Sequence, residues 1–195
     1  MQRLFTYWSK YCPTLPTEVK RFVTDHVHIH HHRKSEIVKL PDEDFRYWGL
    51  VLSGLIAGYV ANRHGEPQLR ELLLPLDFFT GSEHPFTTRP YPIEYRVIDT
   101  TDLLLLPIAI AREGQQRYRE VAELFHVLKQ KKINFLRHLL AVYQEDRYYD
   151  RYCEYRRLFP HLTHVAPQHA QYQLLRMSET SYYRVKKQYL NNNRV

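Results

Sequence analysis

The sequence predicts an α+β chain: a short leading helix, an all-β block with the turn density of a small barrel or jelly roll, and a helical second half ending in a helix-turn-helix. Three observations carry this. Between Ile37 and about Pro107, apolar residues come in short β-rich runs separated by turn residues. From Arg112 to Tyr143 there is no proline, and no glycine after Gly114, while apolar residues recur at helical spacing. Pro160 and Pro167 then cut the remainder into short helices.

Taken in order, Val19, Phe22, Val23 and Val27 fall on one helical face, with Thr17 as the N-cap. His26, His28, His30, His31 and His32 follow. If Val27 and Ile29 point inward on a strand, His26, His28 and His30 share the outer face. Three imidazoles suit a metal, but no cysteine and only Asp25 and Glu36 lie near to complete or orient a site, so a solvated polar face is expected and no metal. The β runs are Leu50 to Val60, Leu69 to Leu74, Tyr91 to Ile98 and Asp102 to Leu106. Asn62-Arg63-His64-Gly65 supplies a hairpin loop, because these residue types tolerate left-handed backbone.

The helix from Arg112 to Tyr143 carries two apolar stripes, interrupted by the polar run Lys129 to Lys132. One holds Val121, Leu124, Leu128, Phe135 and Val142; the other holds Phe125, Leu136, Leu140 and Tyr143. One stripe suffices to dock a helix on its own domain, so the second suggests an identical helix from another subunit. A tyrosine-rich helix spans about Glu145 to Leu158. Pro167 suits the first turn of a helix over Gln168 to Leu175. Ser178 N-caps a last helix through Leu190, with Glu179 at its positive end.

Composition excludes several classes. The 195 residues are 44% apolar and 25% charged, as in globular chains. Cys12 and Cys153 are too few for a disulfide framework or a four-thiolate metal site, and fit a reducing cytoplasm. Cys153 lies near Arg151 and Arg156, where a lowered thiol pKa would make a redox sensor; simple burial is the expected reading. Met1 to Cys12 contains no apolar signal core, and neither Trp48 to Ala61 nor Leu103 to Ala111 reaches the ~20 residues of a membrane span, so no membrane partner is expected. No nucleophile-and-base motif, phosphate loop or H-E-x-x-H helix is present, so an enzyme is not expected, nor a cofactor. Residues 1–111 hold 12 Lys/Arg and 13 Asp/Glu, whereas residues 112–195 hold 16 and 8. Basic charge confined to one half suits a polyanion, or is merely a solvated face.

This order of elements, with the stretches 48–55, 76–79, 145–148, 159–162, 166–168 and 175–185 at its corresponding places, resembles the Crp/Fnr family of bacterial transcription regulators. Trp48-Gly49-Leu50-Val51-Leu52-Ser53-Gly54-Leu55 is similar to a strand and turn of the family's β-roll, and Leu76-Asp77-Phe78-Phe79 to its G-D-F element. Glu145-Asp146-Arg147-Tyr148 resembles E-E-R-Y at the start of the family's DNA-binding domain, and Phe159-Pro160-His161-Leu162 resembles F-P-E-L. Ala166-Pro167-Gln168 and the stretch Leu175 to Val185 are similar to its helix-turn-helix. The resemblance implies an N-terminal double-stranded β-helix sensor (jelly-roll, cyclic-nucleotide-binding-like) over residues 1–144, including a dimerisation helix at about 112–143. It implies a winged-helix-like helix-turn-helix domain over residues 145–195, with little room for a wing after Leu190. The partners it implies are double-stranded DNA carrying a palindromic operator, a second copy of the chain, and a small-molecule effector whose binding reorients the two recognition helices. Localisation would be cytoplasmic.

Departures from the family shape the site expectations. Arg176 stands where the family usually has glycine, Thr180 where it has the base-reading glutamate, and Tyr183 where it has a small residue; Arg184 keeps the family's arginine. The residues expected at DNA are Ser178, Thr180, Ser181, Tyr183, Arg184 and Lys187. In the stretch matching the family's phosphate cassette, His84, Pro85 and Pro90 replace small residues whose amides would ring a phosphate. Cyclic AMP is therefore not the expected effector, and Glu83, Thr88 and Arg89 are left as candidates to meet another. The alternative is a β-roll interaction module with a degenerate helix-turn-helix that binds no DNA.

Overall fold

The computed structural model describes residues 1–82, 87 and 89–193. The chain divides into two compact units, Met1–Gln130 and Lys131–Val195.

The first unit opens with α1 (Gln2–Trp8), unforeseen in the sequence, and α2 (Thr17–His26). Leu4 and Trp8 lie one helical turn apart and are both buried, and the Trp8 indole N–H donates to the Glu120 carbonyl at 3.2 Å. Thr17 is the first residue of α2 and not its cap; Pro16 occupies the cap position with φ −60°, an angle its ring imposes.

Among the described residues six strands follow: β1 (His28–His32), β2 (Ile37–Lys39), β3 (Tyr47–Ala61), β4 (Pro67–Leu73), β5 (Phe78–Thr80) and β6 (Glu94–Pro107). They form one antiparallel sheet in the order β1-β6-β3-β4, with β2 also on β6 and β5 also on β3. The two C-terminal β runs of the sequence are thus a single strand. Its polar middle, Asp99 to Thr101, passes through register shifts against Ser53 to Ile56, and Gly54, at φ +84°, sits there because a side chain would strike Thr100 and Thr101. The β3–β4 loop is as expected: the Asn62 side-chain oxygen accepts from the amides of His64 and Glu66 at 2.8 and 3.0 Å.

Both faces of the β3–β6 pair are covered, which explains apolar runs without alternation. Trp48, Leu50, Leu52, Leu104 and Leu106 pack with the helices, and Val51, Leu103 and Leu105 with Ile56, Phe79, Ile93 and Tyr95 inside the roll.

The expected single helix after Pro107 is two, α3 (Ile108–Arg117) and α4 (Arg119–Gln144). Tyr118 between them is extended (φ −125°, ψ 118°), and its ring packs on Phe22 at 5.1 Å. Neither proline nor glycine marks this break; packing makes it.

His28, His30 and His31 are exposed on β1, as a solvated polar face requires, but the shared face expected for His26, His28 and His30 is corrected. His26 belongs to α2, where its Nδ1 lies 2.7 Å from the Phe22 carbonyl, and Ile29 is 51% exposed instead of inward. His31 pairs with Asp102 at 2.8 Å and His32 with Glu36 at 3.2 Å. Among the described residues no group of three or more His, Cys, Asp or Glu is arranged to hold a metal ion. Nor, among the described residues, is any helix long and apolar enough to cross a membrane.

The second unit continues α4 and adds α5 (Tyr148–Leu158), α6 (Pro160–Val165), α7 (Gln168–Leu174) and α8 (Glu179–Asn192). Residues 145–147, expected within a helix, link α4 to α5. Pro160 starts α6, while Pro167 caps α7 and does not sit in its first turn. The tyrosines pack: Tyr152 meets Tyr182 and Tyr189 edge-on, each at 5.6 Å. Burial pushes the Cys153 thiol up, the opposite of what a reactive thiolate needs.

Candidate nucleic-acid interface

α7 and α8 are joined by a tight turn closed by its own backbone hydrogen bonds. Leu175 closes α7, donating its N–H to Gln171, and the Met177 N–H reaches back to the Tyr172 carbonyl at 2.9 Å. Between them Arg176 adopts φ +54°, a left-handed backbone that costs a residue with a side chain about 1 kcal/mol. Two residues on, the Ser178 hydroxyl accepts from the Ser181 amide at 3.2 Å and caps α8 as expected.

The inward face of α8 carries the buried Tyr182 and Val185. Tyr182 Oη donates to Gln171 Oε1 at 2.9 Å, and Gln171 Nε2 donates to the carbonyls of Ala166 (2.7 Å) and Thr163 (3.3 Å). This network seats α8 on α7 and satisfies the buried amide.

The outward face presents Thr180, Tyr183, Arg184 and Lys187, all exposed and within about one third of the helix circumference. Ser178 and Glu179 are exposed at the start of α8. Ser181 departs from the expected face: it is half-buried, and its hydroxyl accepts from Ser178 at 2.9 Å. Among the described residues neither Arg184 nor Lys187 has an acidic partner, and Glu179 is the one acid in α8. Residues 131–195 hold 12 Lys/Arg and 5 Asp/Glu, whereas residues 1–130 hold 16 of each, so the formal net charge of +7 belongs to the second unit.

The two apolar stripes of α4 divide differently from expectation. Val121, Leu124, Phe125 and Leu128 are buried in the core of the first unit, where Phe125 lies 4.9 Å from Trp48. In the second unit Phe135 packs on Phe159 at 5.0 Å, and Val142 is buried. Ile133, Leu136 and Leu140, spaced i, i+3, i+7, are left 44–58% exposed on one face.

Inside the roll, aromatic side chains fill the space beside β3 and β6. Phe79 lies 4.3 Å from Tyr95 and 5.5 Å from Phe45, and Tyr95 Oη donates to Glu71 at 2.7 Å. The Lys39 amine, fully buried, faces the carbonyls of Leu40, Pro41, Tyr91 and Ile93 at 2.8–3.1 Å. Of the effector candidates, Arg89 is exposed, and Glu83 and Thr88 lie outside the described residues, as do His84 and Pro85. A cleft of about 270 Å³ opens beside this stretch, with Ser82, Thr87 and Pro90 on its walls together with Asp44, Arg46 and Arg112.

The turn conformation of Arg176 and the hydrogen-bond partners of Tyr182 and Tyr143 escaped the sequence. The departure from glycine at position 176 was the one available signal, because glycine is the usual occupant of a left-handed turn.

No sequence-family model matches this chain, and comparison with curated proteins finds no match. Solved structures do match. FixK2 from Bradyrhizobium japonicum is 16% identical, with a TM-score of 0.70 over 85% of each chain. A protein from Eubacterium rectale, described as a transcriptional regulator of the Crp/Fnr family, is 16% identical (TM-score 0.68), covering 95% of this chain and 88% of its own. CLP from Xanthomonas campestris, a global regulator responsive to c-di-GMP, is 13% identical (TM-score 0.68), covering 91% and 93%. The chain has a Crp/Fnr-like fold: an antiparallel β-roll of the cyclic-nucleotide-binding type with helices.

Proposed function

We propose that this protein is a bacterial, cytoplasmic, non-enzymatic transcription regulator of the Crp/Fnr type that binds palindromic double-stranded DNA as a homodimer. One observation carries the reading. The outward face of α8 holds Arg184 and Lys187, which have no acidic partner among the described residues, on the unit that bears the whole net charge. In the major groove an arginine can meet O6 and N7 of guanine together, and a lysine can meet phosphate. Residues 145–195 form the helix-turn-helix domain in this reading, and residues 1–144 the sensor with its dimerisation helix. Ile133, Leu136 and Leu140 of α4 supply the apolar seam for a second copy of the chain. A signal received by the roll would travel along α4, which runs on from one unit into the other.

Cyclic AMP does not fit as that signal, because Phe79 and Tyr95 occupy the roll interior and Pro90 offers no amide to a phosphate. Tyr183, 46% exposed on the outward face of α8, favours the second reading, a module whose helix-turn-helix no longer reads bases. Selection of bound fragments from a random duplex pool separates the two. The regulator reading expects a palindrome with half-sites about 34 Å apart. Equal affinity for selected and random duplexes at physiological salt would overturn it.

A further inference from the structure

We infer that Arg176 is a positioning residue: stacked on Tyr143, it pins the α7–α8 turn to the last turn of α4 and fixes the direction in which α8 presents Thr180, Tyr183, Arg184 and Lys187. This rests on the reading of α8 as the recognition helix.

The backbone at position 176 favours glycine, which adopts φ +54° without strain. An arginine held there against that preference is explained by what its side chain does. Its guanidinium carbon lies 4.5 Å from the centre of the Tyr143 ring, within cation–π range. Tyr143 in turn donates its hydroxyl to the Leu174 carbonyl at 2.7 Å, so one residue of α4 holds the turn through both ring and hydroxyl. Arg151 of α5 braces the same place, donating to the Glu145 carbonyl through Nε (3.1 Å) and Nη2 (2.8 Å) and reaching the Leu175 carbonyl through Nη1 at 3.5 Å.

The linker at residues 145–147 is therefore bracketed on both sides by ties to the turn. Leu174, Leu175 and Met177 are buried, and Ser178 caps α8 two residues beyond Arg176. A swing of the α4 end cannot be absorbed at the linker; it is passed to α8. In a dimer joined along α4, this clamp sets the angle and spacing of the two recognition helices.

The test uses the full chain with Arg176→Gly and Arg176→Lys. Arg176→Gly should melt at or above the wild-type temperature, because glycine relieves the backbone. Its affinity for a palindrome selected by the wild type should nevertheless fall about fivefold, while affinity for a lone half-site stays unchanged. Arg176→Lys keeps a cation for Tyr143 and should restore most of the loss. Palindrome binding equal to wild type in both variants would overturn the clamp, and so would an equal loss on palindrome and half-site, which would mark a direct DNA contact. If the wild type selects no sequence, the regulator reading fails on its own, and hydrogen exchange still tests the clamp. Amides of residues 174–182 should then exchange faster in Arg176→Gly without a drop in melting temperature, and unchanged exchange would overturn the inference.

Discussion

Tyr182 and Gln171 are joined inside the second unit by a 2.9 Å hydrogen bond from phenol to amide, and this bond sets α8 on α7. Gln171 is only 4% exposed, so nothing replaces the phenol if it is removed. Tyr182→Phe should therefore destabilise the fold by about 1–3 kcal/mol, the cost of leaving Oε1 buried and unpaired. Denaturant unfolding checks this, and the double variant Tyr182→Phe with Gln171→Met should lose less than the two single losses added together. Additive losses would show that the bond does not couple the two helices.

The exposed seam of α4 predicts different outcomes for two leucines that the sequence pattern treats alike. Leu136 is 48% exposed, and Leu136→Glu should give a folded monomer at micromolar concentration where the wild type is a dimer. Leu128 is 1% exposed among Trp48, Leu124 and Phe125, and Leu128→Glu should lose the cooperative unfolding transition itself. Light scattering and circular dichroism on the same samples distinguish dissociation from unfolding. A monomeric wild type would remove the dimer.

Much of this architecture was legible in the sequence because it follows from local chemistry. Asn62 to Gly65 turns because Asn62 can bond two following amides and Gly65 accepts φ +80°; Ser178 caps α8 because its hydroxyl has an orphan amide in reach. What stayed hidden depends on distant partners. The break at Tyr118 is made by Phe22, nearly a hundred residues earlier, and no breaker residue announces it. Both stripes of α4 have helical period, and which part faces the core, a neighbour or solvent is decided by residues such as Trp48 and Phe159 that periodicity does not contain. At the candidate interface, Thr180, Tyr183, Arg184 and Lys187 could be placed on one face by counting. Ser181 could not, because its bond to Ser178 competes with projection.

Cyclic AMP should leave the melting temperature unchanged. A nucleotide in the roll interior would meet Phe79 and Tyr95, whose rings lie 4.3 Å apart, and one in the cleft beside Ser82 would meet Pro90, which has no amide to give a phosphate. A ligand present at ~100 times its dissociation constant would add ~2.7 kcal/mol of stability, which thermal unfolding resolves easily. A dose-dependent rise would show that the roll opens to admit the nucleotide.

Lys39 makes a stability prediction with a defined sign. Burial holds its amine below the ordinary lysine pKa, while Glu43 and Asp42 pull it back upward. Between that lowered value and the unfolded value near ~10.4, the unfolded chain binds more protons than the folded one. The contribution of Lys39 to stability is therefore smallest below its folded pKa and grows as pH rises through that window. Lys39→Met strips the donor from four carbonyls and should cost at least about 2 kcal/mol at neutral pH. The gap between wild type and variant, followed by denaturant unfolding, should widen with alkaline pH. A gap that narrows would mean that the charged amine is the form the cage prefers.

Arg184 and Lys187 lie one turn apart on the outward face of α8, yet they should fail differently when truncated. An arginine reading a guanine edge contributes discrimination at one base pair, so Arg184→Ala should cost about 1–3 kcal/mol on the selected operator and relax preference at one position of each half-site. A lysine on phosphate contributes without regard to sequence, so Lys187→Ala should weaken selected and random duplexes alike. It should also lower the slope of log affinity against log salt by about one for each lysine removed from contact, hence about two in a dimer. The pair is measured by titrating both duplexes across a salt series. If both variants lose affinity equally on every sequence, α8 lies along the backbone and reads no base, and the basic charge of the second unit serves only non-specific attraction.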